Sequence, residues 1–184
     1  MKKAIFIVIG IFIVLLLIAG GLFYYFFMRI PQFSEIIKIE NPAQGLSAEQ
    51  ARIGFDESYI DYIIFAIDGW RLHNPPLSKD IPKIKVIVDS EIYVSKITDG
   101  QIVTEKKDID KEDIIITTNK EEMVNAVLSF EIKQYIKNSV AEGKTSVELV
   151  AGYTTLFSKG YLFLYEEMTG ESFTGSVIRI FRQE

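Results

Sequence analysis

Residues 83–105 read KIKVIVDSEIYVSKITDGQIVTE, and the fold turns on how that run divides. Side chains alternate along a strand, so Ile84, Val86 and Val88 fall on one face. Asp89-Ser90 turns the chain, and Glu91 to Ile97 reads as a second strand. Asp99-Gly100 is a tight-turn pair, because both central residues of a type I′ turn need positive φ. Gln101 to Glu105 follows as a third strand. The charged run Lys106 to Asp113 reads as a loop, and Ile114 to Thr118 as a fourth strand. Four strands in succession predict an antiparallel meander.

Helical patterns flank this sheet. Upstream, a helix is expected from Ser47 to Trp70, bent near Gly54, with Ile60, Ile63, Ile64 and Ile67 at helical spacing. Gly69 and Asn74-Pro75-Pro76 end it. Downstream, Thr118 to Glu121 has the spacing of a capping box, and Met123, Val124, Val127 and Phe130 follow as an apolar face. A second helical segment carries Ile132, Tyr135, Ile136 and Val140, and Gly143 suits its end. Lys144 to Ala151 reads as a strand, Leu156 to Met168 as one helix stopped by Gly170, and Ser176 to Arg182 as a closing strand. The expected class is therefore α+β, with an antiparallel sheet packed against helices.

The N-terminus predicts something else. Residues 4–28 carry no charge, and as a helix they would exceed a bilayer core of about 30 Å. Phe23, Tyr24, Tyr25, Phe26 and Phe27 would suit a headgroup interface, and Pro31 discourages further helix. A cleaved signal peptide has a shorter apolar region, so a retained signal-anchor is the expectation. Lys2, Lys3 and the amine bias the orientation to N-terminus inside and domain outside. The expected organisation is a short cytoplasmic tail at 1–3, a transmembrane helix at 4–28, a tether at 29–47 and one α+β domain at 48–184, single-pass in the cell membrane.

Composition narrows the function classes. Without Lys2, Lys3 and Arg29, the remaining chain has 17 basic and 25 acidic residues. An acidic surface is repelled by nucleic acid, so no nucleic-acid partner is expected. With no cysteine, disulfides, thiolate metal sites and cysteine nucleophiles are excluded. There is no Gly-rich phosphate loop, no recognisable Ser/His/Asp order and no metal-ligand spacing, so no catalytic, cofactor or metal residue is assigned. Asp108, Asp110, Glu112 and Asp113 invite calcium, but no glycine follows and Lys106, Lys107 and Lys111 interrupt the acidic field.

Residues 83–170 resemble the sterol-carrier-protein-2 (SCP2) family in their order of elements. Asp113-Ile-Ile-Ile-Thr-Thr before a capped helix is similar to the family's "D-x-x-I-x-x" strand and the helix after it. Glu142-Gly143-Lys144-Thr145-Ser146-Val147 is similar to its "x-G-K-x-x-h" entry into the next strand. The resemblance implies a hydrophobic cavity between sheet and helices that accepts a lipid. The N-terminal segment and the helix before the meander depart from the family.

Trp70, Arg71, His73 and Asn74 form the most chemically mixed stretch and are the candidate interaction residues. His73, the only histidine, also suits a helix C-terminus. Tyr153, Phe157, Tyr161, Phe163 and Tyr165 are either core or the wall of a lipid pocket. Two functional readings result. One is a non-enzymatic, membrane-anchored extracytoplasmic module that binds or scaffolds a protein partner. The other is an SCP2-like lipid-binding domain with an apolar cavity.

Overall fold

A computed structural model describes residues 2–24, 37–75 and 78–171. The chain divides into two compact units, Met1–Gln32 and Phe33–Glu184.

The first unit contains helix α1 (Lys2–Phe23). Among the described residues no helix is long and apolar enough to cross a membrane. The expected transmembrane helix, its signal-anchor role and the single-pass placement with the domain outside are corrected accordingly. Tyr25 to Arg29 and Pro31, on which the interface argument leaned, lie outside the described residues.

The second unit is α+β. After α2 (Ala48–Ile53) and α3 (Glu57–Ala66) come β1 (Lys83–Val88), β2 (Glu91–Thr98), β3 (Gln101–Glu105) and β4 (Ile114–Thr118). Then follow α4 (Lys120–Leu128), α5 (Ile132–Ala141), β5 (Ser146–Leu149), α6 (Tyr153–Lys159) and α7 (Tyr161–Thr169). The expected closing strand at 176–182 lies outside the described residues.

The three-strand meander forms as read. Asp99 and Gly100 both have positive φ, 49° and 80°, as the tight turn requires. The fourth strand differs. The sheet order is β3-β2-β1-β4-β5, and β4 lies parallel to β1, with Ile116 opposite Val86. The sheet is therefore mixed, which corrects the purely antiparallel meander. The cause is the charged connection 106–113. It has no tight-turn pair, so β4 cannot fold back on β3, and it is long enough to cross to the other side of β1. Lys85 holds the crossing segment, with Nζ 2.6 Å from Asp108 Oδ1 and 3.8 Å from Glu112 Oε1. Two of the four acids that invite calcium, Asp108 and Glu112, are thus partners of a lysine that alternates away from the core face.

The helices cover the face of Ile84, Val86 and Val88, all buried. The long helix expected at 47–70 is two helices. Ser47 and Gln50 make the capping box of α2, and Asp56 caps α3. Tyr59, Ile60, Ile63 and Ile64 are buried on α3, which places four large side chains in the core from ten residues. Gly69 is required after it, because a Cβ there would run into the Ile64 side chain and lie 2.7 Å from the Ile64 carbonyl oxygen. Two other boundaries differ from the sequence reading. Asn119, not Thr118, caps α4, accepting from Glu122 N–H at 2.9 Å, while Thr118 stays in β4. The single helix expected at 156–168 is α6 and α7, broken at Gly160 (φ 86°).

Candidate functional site

A cavity lies between the sheet and the helices. Ile60, Ile63, Ile64 and Ile67 form one wall, from α3 and the residue after it. Val86 and Ile116 form the floor, where β1 and β4 run side by side. Met123 and Ala126 of α4, Ile136 of α5 and Met168 of α7 close the rest. The cavity volume is about 30 Å³, room for one or two water-sized molecules.

One end of this apolar space is polar, and the chain builds it from three elements. Thr118 ends β4, and Glu122 follows in the first turn of α4, where an acid is favoured by the helix dipole. Tyr135 and Ser139 stand four residues apart on α5, hence on one face. Gly143 (φ 72°) then turns the chain, and Thr145 is tied back by its N–H to Ser139 O at 3.2 Å. The side chains connect. Glu122 Oε2 accepts from Ser139 Oγ at 2.8 Å and from Tyr135 OH at 3.1 Å. Thr145 Oγ1 lies 2.8 Å from Ser139 Oγ and 2.9 Å from Thr118 Oγ1. Burial, and then the hydrogen bond to Glu122, raise the Tyr135 phenol above its usual range.

A second polar cluster sits at the other end of β4. Lys159, only 1% exposed, donates to Asp113 Oδ1 at 2.9 Å, Asp113 Oδ2 at 3.0 Å and Ile81 O at 3.1 Å. Its Nζ is also 2.8 Å from Asp80 Oδ2. Asp113 Oδ2 accepts from Tyr161 OH at 3.0 Å and Lys83 N–H at 2.8 Å. Gly160, left-handed between α6 and α7, lets Lys159 and Tyr161 reach the same carboxylate. Burial, then the Asp113 charge, push the Tyr161 phenol well up, while the Lys159 hydrogen bond holds Asp80 down.

The candidate stretch 70–74 takes no part in either cluster. Trp70 Nε1 donates to Asp68 Oδ1 at 3.2 Å, and the Arg71 guanidinium lies 3.9 Å from the Phe163 ring centroid. His73 Nδ1 is 3.1 Å from Arg71 O, its N–H donates to Lys159 O at 3.2 Å, and Asn74 is exposed. Arg71 and His73 lie against the α6–α7 junction, and none of the four residues lines the cavity. Nor does the aromatic series: among Tyr153, Phe157, Tyr161, Phe163 and Tyr165, none lines the cavity. Tyr161 is buried against Asp113, and Tyr153 stacks on Phe157 at 6.1 Å. Sequence reasoning missed Glu122, Ser139, Thr145, Asp113 and Lys159. A usable signal was Lys159, a lone charge between Leu156 and Tyr161 in an apolar helical pattern. Among the described residues no group of His, Asp or Glu side chains could hold a metal ion.

No family model matches the chain, and no curated protein does. Among solved structures it is similar to one described as "UbiJ-SCP2 Ubiquinone synthesis protein". The identity is 10%, over 47% of this chain and 70% of that one, with a TM-score of 0.31. That description names the SCP2 family, which residues 83–170 resemble in sequence pattern. At that TM-score it supplies no functional argument, which rests on the cavity and its polar end.

Proposed function

We propose that this domain is a non-enzymatic binding module for a slender, single-chain amphiphile. The apolar chain lies between α3 and the β1–β4 floor, and the polar end meets the Glu122 cluster. The observation that carries this reading is the pairing of an apolar cavity with one convergent set of polar groups, the usual composition of a small-molecule site.

Ligand pockets are commonly about 300–1,000 Å³, so the cavity of about 30 Å³ is a closed state. Something must open, and α5 is a lightly buried helix that borders the cavity. Only Ile136 and Ser139 of its ten residues are buried, and it has no side-chain N-cap. Fully exposed Phe130 precedes it and Gly143, in the left-handed region, follows it. Its polar ties to α4 include the two hydrogen bonds to Glu122 and a contact of the Tyr135 phenol with Asn125. Lifting α5 would widen the cavity without disturbing the sheet.

The test uses the full chain. Lipid analysis of the purified protein should recover a bound single-chain amphiphile, and n-octanol should raise its thermal midpoint in a saturable way. Saturation at about 100 times Kd corresponds to about 2.7 kcal/mol of stabilisation. An unshifted midpoint, together with no recovered lipid, would contradict the reading and leave a packed interaction module.

A further inference from the structure

We propose that Glu122 makes the cavity select amphiphiles whose polar end donates a hydrogen bond, an alcohol or an amine, over those ending in a carboxylate. The inference rests on the binding reading above and names the ligand chemistry of that same site.

Proton bookkeeping in the polar cluster carries it. An ionised carboxylate only accepts, so Ser139 and Tyr135 must give their protons to Glu122 Oε2. Ser139 has one hydroxyl proton, so toward Thr145 it can only accept. Thr145 therefore donates to Ser139, and by the same step Thr118 donates to Thr145. Every hydroxyl proton of the cluster is directed, link by link, toward Glu122. None is left for an incoming anion. Acceptor capacity remains on Glu122 Oε1.

Charge points the same way. The Glu122 side chain is 11% exposed, and the cation nearest its Oε1 is Lys144 Nζ at 3.9 Å, beyond hydrogen-bond reach. That lysine is 52% exposed and lies 2.7 Å from Glu142 Oε2, so a second carboxylate shares its charge. Among the described residues no lysine or arginine lines the cavity. A ligand carboxylate would bring a second negative charge beside Glu122, with no cation in the cavity wall to offset it. A hydroxyl or ammonium group would instead replace the protons that Tyr135 and Ser139 withdraw when α5 lifts.

The experiment is a calorimetric titration of the full chain with n-octanol, n-octylamine and octanoate at neutral pH. Octanol and octylamine should bind at least about tenfold more tightly than octanoate. In Glu122→Gln, whose amide can donate as well as accept, the preference over octanoate should fall to within about threefold. Octanoate binding to the natural chain as tightly as octanol would overturn the selectivity while leaving the binding function intact. Binding of none of the three would overturn both. The comparison within the natural chain decides even if Glu122→Gln does not fold, and an unchanged preference in a folded Glu122→Gln would remove Glu122 from the role.

Discussion

The two polar clusters at opposite ends of β4 use buried charge differently. At the Asp113 end, opposite charges meet: Lys159 has two carboxylates and a carbonyl, and Asp113 adds a phenol and an amide N–H. At the Thr118 end, one carboxylate is met by hydroxyls, with its nearest cation at 3.9 Å. The first cluster pins the α6–α7 junction to the start of β4, so its return is stability and register. The second borders a cavity and ties down the helix with few fully buried residues. A saturated cluster has nothing to offer a ligand, whereas one with spare acceptors does.

The comparison sharpens through substitutions on either side. The largest effect is expected at the saturated end. Lys159→Met leaves Asp113 buried without its cation and should cost about 3–5 kcal/mol, read as a lowered urea midpoint. A loss below about 1 kcal/mol would mean that water reaches the pair. Ile136→Ala acts at the other end, enlarging the cavity under α5. It should cost about 2–4 kcal/mol, yet bind n-octanol more tightly than the natural chain does. Loss of both stability and affinity would separate Ile136 from the proposed site.

A third network tests the cost of a half-buried carboxylate held by a threonine. Asp61 on α3 accepts from Thr104 Oγ1 at 2.5 Å, which lies 2.6 Å from Ser95 Oγ. Burial holds the Asp61 carboxyl above its usual range, against the opposing Thr104 hydrogen bond. A raised folded-state pKa means that the folded protein holds the proton more tightly. Its contribution to stability is full below the unfolded pKa and is lost as pH rises through the folded one. Asp61→Asn should therefore gain on the natural protein as pH climbs from about 4 to about 7. Thermal melts across that window check it, and a gain in the reverse direction would refute the burial argument. The smallest effect belongs outside all three networks. His73→Gln, facing a backbone carbonyl, should stay within about ±0.5 kcal/mol by denaturant titration and leave octanol binding unchanged.

The sequence made local structure legible and long-range pairing not. β1 to β3 were readable because period-two alternation and Asp99-Gly100 are both short-range signals. The parallel seat of β4 was not, because Ile114 to Thr118 would fit either side of the meander and the choice lies in the path of 106–113. The break at Gly160 was hidden because apolar residues at 157, 161, 164 and 168 keep helical register across it. The site was hidden for the same reason as β4. Asp113 and Lys159 are 46 residues apart, and Glu122 and Ser139 are 17 apart on different helices. Apart from Lys159, each alone reads as an ordinary polar residue of a loop or helix. The apolar run at the N-terminus illustrates the converse: a strong local pattern gave helix α1, while the membrane span inferred from its length was not supported.

The most direct test of the account is a titration of isotope-labelled full chain with n-octanol, followed through isoleucine and valine methyl signals. Ile60, Ile63, Ile64 and Ile67, with Ile116 and Ile136, line the cavity. Val94 is equally buried but pairs with Lys85, on the opposite face of the sheet. Saturable shifts at the cavity methyls, with Val94 unmoved and Ile136 broadened as α5 lifts, are the expected result. Shifts scattered over exposed positions such as Ile53 and Val103, with the cavity methyls unchanged, would contradict an interior ligand site.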